Sequence, residues 1–238
     1  MNPISILSVV TFGFVLGLKH AIEADHVAAV STIVSEHKKL LSSALVGALW
    51  GLGHTVSLMI AGVAIILLHI RFSERFNLSL EFCVGLMLIV LGLNALRKLA
   101  KGGHIHFHQH EHGQRTHAHP HIDFGSESVR FNHHGLKLGM RPLVIGMIHG
   151  LAGSAALMLL VLSTISQPAV ALIYVLVFGI GSTGGMVIMS ALVGLPAQFT
   201  AKRFKLANAI LRGVAAVFSL LLGLFMTYEI GFSEKLFG

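Results

Sequence analysis

The run Val144-Ile-Gly-Met-Ile-His149-Gly-Leu-Ala-Gly-Ser154-Ala-Ala-Leu-Met-Leu-Leu-Val-Leu-Ser-Thr-Ile165 contains no Asp, Glu, Lys or Arg. A second stretch, Val170–Leu195, is equally free of charge. Apolar runs of roughly 18 or more residues read as transmembrane helices, because only a helix satisfies its own backbone polar groups in hydrocarbon. The whole chain agrees. Charged residues make up 11% of it, where a soluble domain carries about 25%. Hydrophobic residues make up 54%, and the mean hydropathy is +0.80.

Working outward from these two runs, six apolar segments can be drawn, at about 4–34, 43–70, 80–99, 143–166, 169–195 and 206–230. The expected fold is all-α, a polytopic membrane protein of about six transmembrane helices. The first segment is too long for a simple span. Its length corresponds to a helix of roughly 46 Å at ~1.5 Å per residue, against a hydrocarbon core of ~30 Å. His20, Glu23, Asp25 and His26 lie in its middle. A break or sharp bend between about Lys19 and Val27 is therefore expected.

The net charge of +7 has a topological reading. Thirteen Lys and Arg fall on the side of the loops joining spans one to two, three to four and five to six, and three fall on the other side. The basic side is expected to be cytoplasmic in an inner (plasma) membrane, with both termini outside. The basic residues then face anionic lipid, not nucleic acid. Cys83 is the one cysteine, so no internal disulfide or CxxC pair exists. Met1-Asn-Pro-Ile-Ser5 lacks a basic leader region and reads as the start of the first span.

The halves share landmarks. Gly17-Leu-Lys-His20 parallels Gly146-Met-Ile-His149 at an offset of 129. Gly51-Leu-Gly-His54-Thr55 parallels Gly179-Ile-Gly-Ser182-Thr183 at 128, and Leu91-Gly-Leu93 parallels Leu222-Gly-Leu224 at 131. Three spans per half give the halves opposite orientations, so a 3+3 inverted repeat is expected, with its site near the midplane. The organisation is then residues 1–100 as the first repeat, 101–142 as a cytoplasmic linker and 143–238 as the second repeat. The linker holds ten of the sixteen histidines, from His104 to His134. It is expected to be structureless over most of its length, and either to buffer metal or simply to join the repeats.

The chemistry is concentrated in His20-Ala-Ile-Glu23-Ala-Asp25-His26. Ionisable groups at membrane depth are costly and mark function. Imidazoles with a carboxylate suit Zn, Cu, Fe, Ni or Co. On a regular helix His20 and His26 stand about 9 Å apart along the axis, too far to share one ion. The helix must unwind between them, or each meets the ion at a different step. His54 in the next span, with Gly51 and Gly53 allowing close helix approach, is a further candidate. His149, the counterpart of His20, would line the same cavity. Ser154, Ser182 and Thr183 are polar lining at most, and Met186 and Met189 read as packing.

The pattern His20-x4-Asp25-His26 after Gly-Leu-Lys resembles the first signature of the nickel/cobalt transporter family, also called NicO. Gly53-His54-Thr55 is similar to that family's second signature. His149-Gly-Leu-Ala-Gly-Ser154 looks like the short six-span branch grouped with urease accessory nickel permeases. The resemblance covers both halves. It implies transport of Ni2+ or Co2+ as substrate, no cofactor, no enzymatic activity, and His20, Asp25, His26 and His54 as essential residues; His149 joins them through the repeat. Longer members carry Asp at the position of Glu23, and acids where this chain reads Phe178-Gly-Ile-Gly-Ser182-Thr183. Urease-type metalloenzyme maturation proteins are the expected partners, besides the lipid bilayer. Two other readings compete. One is metal delivery to such an enzyme without transport. The other is a membrane metalloenzyme, against which stands the absence of an HExxH motif. No GxxxxGK[ST] motif is present either, which excludes ATP hydrolysis by that route.

Overall fold

The computed structural model describes residues 3–35, 37, 39–70, 73–101, 104–112, 115–123, 140–152, 165, 167–234 and 236–237. Helix α1 spans Pro3–His20 and α2 spans Ala24–Val34. They are followed by α3 (Leu40–Ile66) and α4 (Glu74–Lys101). In the second half come α5 (Arg141–Ala152), α6 (Pro168–Arg203) and α7 (Lys205–Tyr228), the last continuing into a π-helical turn, Glu229–Ser233. Four helices are long and apolar enough to cross a membrane, or up to five if α1 and α2 form one bent span. The body is an all-helical multi-pass bundle, as expected. Residues 153–164, the second half of the expected fourth span, lie outside the described residues, as do His133, His134 and Ser154.

Within the linker, strands β1 (His104–His112) and β2 (Arg115–Asp123) form an antiparallel hairpin, and residues 124–139 lie outside the described residues. In register, His106 faces His121, His108 faces His119 and His110 faces His117. The alternation of histidine with other residues from His104 to His112 has the period of two that a strand requires.

Besides a core with Trp50, Phe178, Leu58 and Leu88, the bundle buries many small and polar residues and exposes many large apolar ones. Leu52, Val56 and Ile60 on α3, and Ile173, Leu176 and Ile180 on α6, are exposed, while Ser57, Gly53, Ser182 and Ser190 are buried. That is the pattern of a membrane protein. Lipid tails gain nothing from burying Leu, so helices associate through small residues and interhelical hydrogen bonds.

Those small-residue contacts come in matched sets. A side chain at Gly17 would collide with the Phe178 carbonyl, and one at Gly146 with the Trp50 carbonyl. Gly53 packs against the Leu143 carbonyl, and Gly181 against the Phe14 carbonyl. Each pair is related by the offsets of 128 and 129 seen in the sequence. Thr55 and Thr183, also 128 apart, hydrogen-bond to each other at 3.0 Å. The third pair of spans behaves alike: Gly92 meets the Ala216 carbonyl and Gly223 meets the Gly85 carbonyl.

Candidate metal centre

The break in the first span creates the centre. Helix α1 ends at His20, where its last turn carries Lys19 and His20 near the negative end of the helix dipole. The chain turns through Ala21 and Ile22. Glu23 then takes extended backbone (φ −64°, ψ 152°) and α2 starts at Ala24. The axes of α1 and α2 differ by 56°. Asp25 falls in the first turn of α2, where a carboxylate complements the dipole, and it accepts the His26 backbone N–H at 2.9 Å.

This break lies within the stretch from Lys19 to Val27 where a break or sharp bend was expected. The rings of His20 and His26, which a regular helix would hold far apart, have centroids 4.4 Å apart. Helix α3 brings His54, with its ring 5.1 Å from His20 and 5.4 Å from His26. Helix α5 brings His149, 4.0 Å from His26. Gly53 and Gly146 are what allow α3 and α5 to approach this closely. All five predicted residues, His20, Asp25, His26, His54 and His149, therefore meet in one place.

Asp25 ties the centre together. Its carboxylate lies 3.0 Å from His26 Nδ1 and 2.8 Å from His149 Nε2, across 124 residues of sequence. With the carboxylate ionised, both ring nitrogens must donate. That fixes the tautomers and leaves lone pairs on His26 Nε2 and His149 Nδ1. Neither of those atoms has a hydrogen-bond partner, nor does either ring nitrogen of His54, nor His20 Nε2. All four rings are buried, at 0–1% exposure. A buried polar atom left unpaired costs ~1–3 kcal/mol, so a cluster of them calls for a ligand.

Two groups of three are close enough to hold an ion: His20, His26 and His54, and Asp25, His26 and His149, each with ligand atoms within 4.8 Å of one another. His26 belongs to both. Metal–nitrogen bonds are ~2.0–2.1 Å, so two ligands of one ion sit at most about 4 Å apart, and the rings would have to draw inward to share an ion.

Two residues outside the predicted set join the centre. Glu23, 36% exposed, places Oε2 2.9 Å from His20 Nδ1, close but poorly aligned for a hydrogen bond. Its place three residues after His20 was the available signal. The sole tryptophan, Trp50, packs its ring 5.7 Å from His149 and 6.3 Å from His26. Its position one helical turn before His54 was the only hint.

Residues 6–230 match the family of high-affinity nickel-transport proteins, NicO. The chain belongs to this family. NicO members are transporters, which sets aside the metalloenzyme reading. A urease accessory protein, UreH, from Bacillus sp. (strain TB-90) is 40% identical over 237 residues, covering 100% of this chain and 98% of its own length. The chloroplast protein FOR GROWTH AND FERTILITY 1 of Arabidopsis thaliana is 24% identical over 187 residues, covering 76% of this chain and 48% of that protein. No solved structure matches the chain.

Proposed function

We propose that this NicO protein carries Ni2+ or Co2+ across the membrane through the buried centre, with His20, Asp25, His26, His54 and His149 as its metal-binding residues. The observation that carries the reading is the pair of overlapping three-residue groups sharing His26, contributed by helices of both halves, with at least one ring nitrogen of each histidine left without a partner. Imidazole ligands suit these ions, and neutral rings keep the bound charge low. Asp25 orients His26 and His149 in the way carboxylates hold metal-ligating histidines, and it offsets part of the ion's charge. An ion passes from one group to the other by exchanging neighbours around His26, without leaving ligands altogether. No cofactor is required. Two positive charges moving inward gain ~4.6 kcal/mol per 100 mV, so the membrane potential suffices for uptake.

The matched glycine contacts support a 3+3 inverted repeat around the centre. The distribution of Lys and Arg supports an orientation with the termini outside and the histidine-rich linker in the cytoplasm. Flux of radioactive nickel and cobalt in both directions, in vesicles of defined orientation, tests the function. Ion movement that depends on His26 is expected. A well-inserted protein that moves neither ion sinks the proposal.

A second reading rests on the name of the urease accessory relative: handing nickel to a metalloenzyme maturation protein without transport of its own. Proteoliposomes containing this chain alone discriminate, since delivery without transport gives no flux.

A further inference from the structure

The imidazoles of the centre are shut in, and its carboxylates are not. His20, His26, His54 and His149 are buried, as is Trp50 beside them. The Glu23 side chain is 36% exposed and that of Asp25 15%. Within the break, Ala21 is buried while Ile22 is exposed. Lys19, one residue before His20, is exposed as well.

The depth of this opening makes it informative. His54 lies near the middle of α3, and its ring is 5.1 Å from that of His20. Lys19 and Glu23 therefore stand near the midplane, about 15 Å from either headgroup layer. A lysine stem is too short to carry its ammonium that far, so Lys19 does not snorkel to an interface. Ionisable side chains at such depth face the bundle interior or a water-filled cavity, not hydrocarbon. Exposure excludes the interior for Lys19 and Glu23, and water remains.

Glu23 spans the boundary. Its Oε2 lies 2.9 Å from Nδ1 of the buried His20, while the side chain itself stays more than a third open. Carboxylate oxygen suits a cation that still carries its water, and imidazole suits Ni2+ or Co2+ once that water is lost. His20 belongs to the group with His26 and His54, so the order Glu23, His20, His26 leads from water to the ligand that both groups share.

We propose that a water-filled vestibule opens at the break between α1 and α2, and that Glu23 takes a divalent cation from it and passes it to His20. The proposal rests on the reading of the buried centre as the metal site, and it names the way in.

The test has two arms. The first is thiol labelling of the full-length protein in vesicles, on a Cys83→Ser background, with a charged reagent applied to both sides. Such a reagent attacks the thiolate and needs water, so Lys19→Cys and Ile22→Cys should react at least about tenfold faster than Val56→Cys. Val56 is exposed on α3 two residues from His54, and so lies at the same depth. If Lys19→Cys does not insert, Ile22→Cys alone carries the comparison. The second arm follows quenching of Trp50, the sole tryptophan, after rapid mixing with Ni2+. Glu23→Gln should slow quenching by about tenfold, the low end of what local charge does to association rates, with its final extent little changed. Glu23→Asp should restore the rate. A Glu23 that only orients His20 gives the opposite pattern, weaker binding at an unchanged rate, and that result removes it from the entry path. Labelling of both break positions as slow as Val56→Cys overturns the vestibule and leaves the break against lipid or a second copy. Fast labelling with no quenching in the wild type sinks the metal reading of the centre, and entry through Glu23 with it, while the vestibule stands.

Discussion

The first half of the chain and the second pack alike but are chemically unlike. Gly17 and Gly53 in the first half and Gly146 and Gly181 in the second each lie against a backbone carbonyl of the opposite half. His20 packs 5.5 Å from Phe178, and His149 packs 5.7 Å from Trp50, positions related by the same offsets. Yet the first half supplies His20, Asp25, His26 and His54, and among the described residues the second supplies only His149. Where the first half has His54, the second has Ser182, whose hydroxyl donates to the Gly17 carbonyl at 3.2 Å. Close packing constrains both halves to small residues at the same places. Only one set of ligands is needed per centre, so the chemistry is free to concentrate on one side.

The sharpest way to test that asymmetry is to remove ligands from the first half. His26→Ala should have the largest effect, because His26 belongs to both groups of ligands. Nickel flux at limiting metal should fall at least about 100-fold, beyond the loss usual for an outer-shell partner. His20→Ala and His54→Ala, each belonging to one group only, should give smaller but still large losses at the same metal concentration. Trp50 gives a second readout, since a paramagnetic Ni2+ or Co2+ bound beside it should quench the fluorescence of this single tryptophan. Near-normal flux with near-normal quenching in any of the three variants removes that residue from the site.

The second half should matter less, and in a distinct way. His149→Ala breaks the 2.8 Å contact between the halves while leaving His20, Asp25, His26 and His54 in place. It should raise the metal concentration for half-maximal flux by about 10–100-fold, the order of loss seen when one supporting group of a metal site is removed. If His149→Ala matches His26→Ala in severity, the centre is shared equally and the comparison between the halves fails.

Much of this centre was legible in the sequence, for reasons that can be named. The excess length of the first segment and the six-residue gap from His20 to His26 together pointed to a break or sharp bend between Lys19 and Val27, and the break falls at Ala21–Glu23. His54 stood out as an imidazole in an apolar span. His149 emerged through its offset from His20. The bridge from Asp25 to His149 was not legible, because nothing local encodes which of two histidines a carboxylate will reach across 124 residues. Trp50 was hidden for a related reason: an aromatic at a helical period reads as packing whatever it packs against. The linker was read by composition, and its strand-like alternation was passed over because histidine carries little apolar contrast.

Smaller in effect, and aimed at the packing, is a pair of substitutions at matched positions. Gly17→Val and Gly146→Val each drive a branched side chain into a carbonyl of the opposite half. Each should destabilise the protein by about 1–3 kcal/mol, the usual cost of overpacking. Thermal unfolding in detergent should show similar losses for the two. A large difference between them would break the equivalence of the halves at the level of packing, where it is strongest.

The smallest effect should come from the linker, the other place where histidines gather. Those of the centre are held by Asp25 and by helices on four sides. Those of the hairpin are placed by backbone register, with His106, His108 and His110 opposite His121, His119 and His117. Directly opposed positions on an antiparallel pair lie within reach of a shared ion, with Cβ atoms ~4.5–5.5 Å apart. Sites of that kind would capture metal without transporting it. Only neutral imidazole ligates, and an unperturbed imidazole titrates near ~6.5. Capture should therefore be full well above that pH and be lost as pH falls through it. Removing residues 104–134 should leave flux at saturating nickel within about twofold of wild type, and shift only its concentration dependence at low metal, most visibly above pH 6.5. Flux measured in oriented vesicles at two pH values checks both parts. Complete loss in a properly inserted deletion would place the hairpin on the permeation path, and the contrast between an ordered centre and a peripheral reservoir would have to be abandoned.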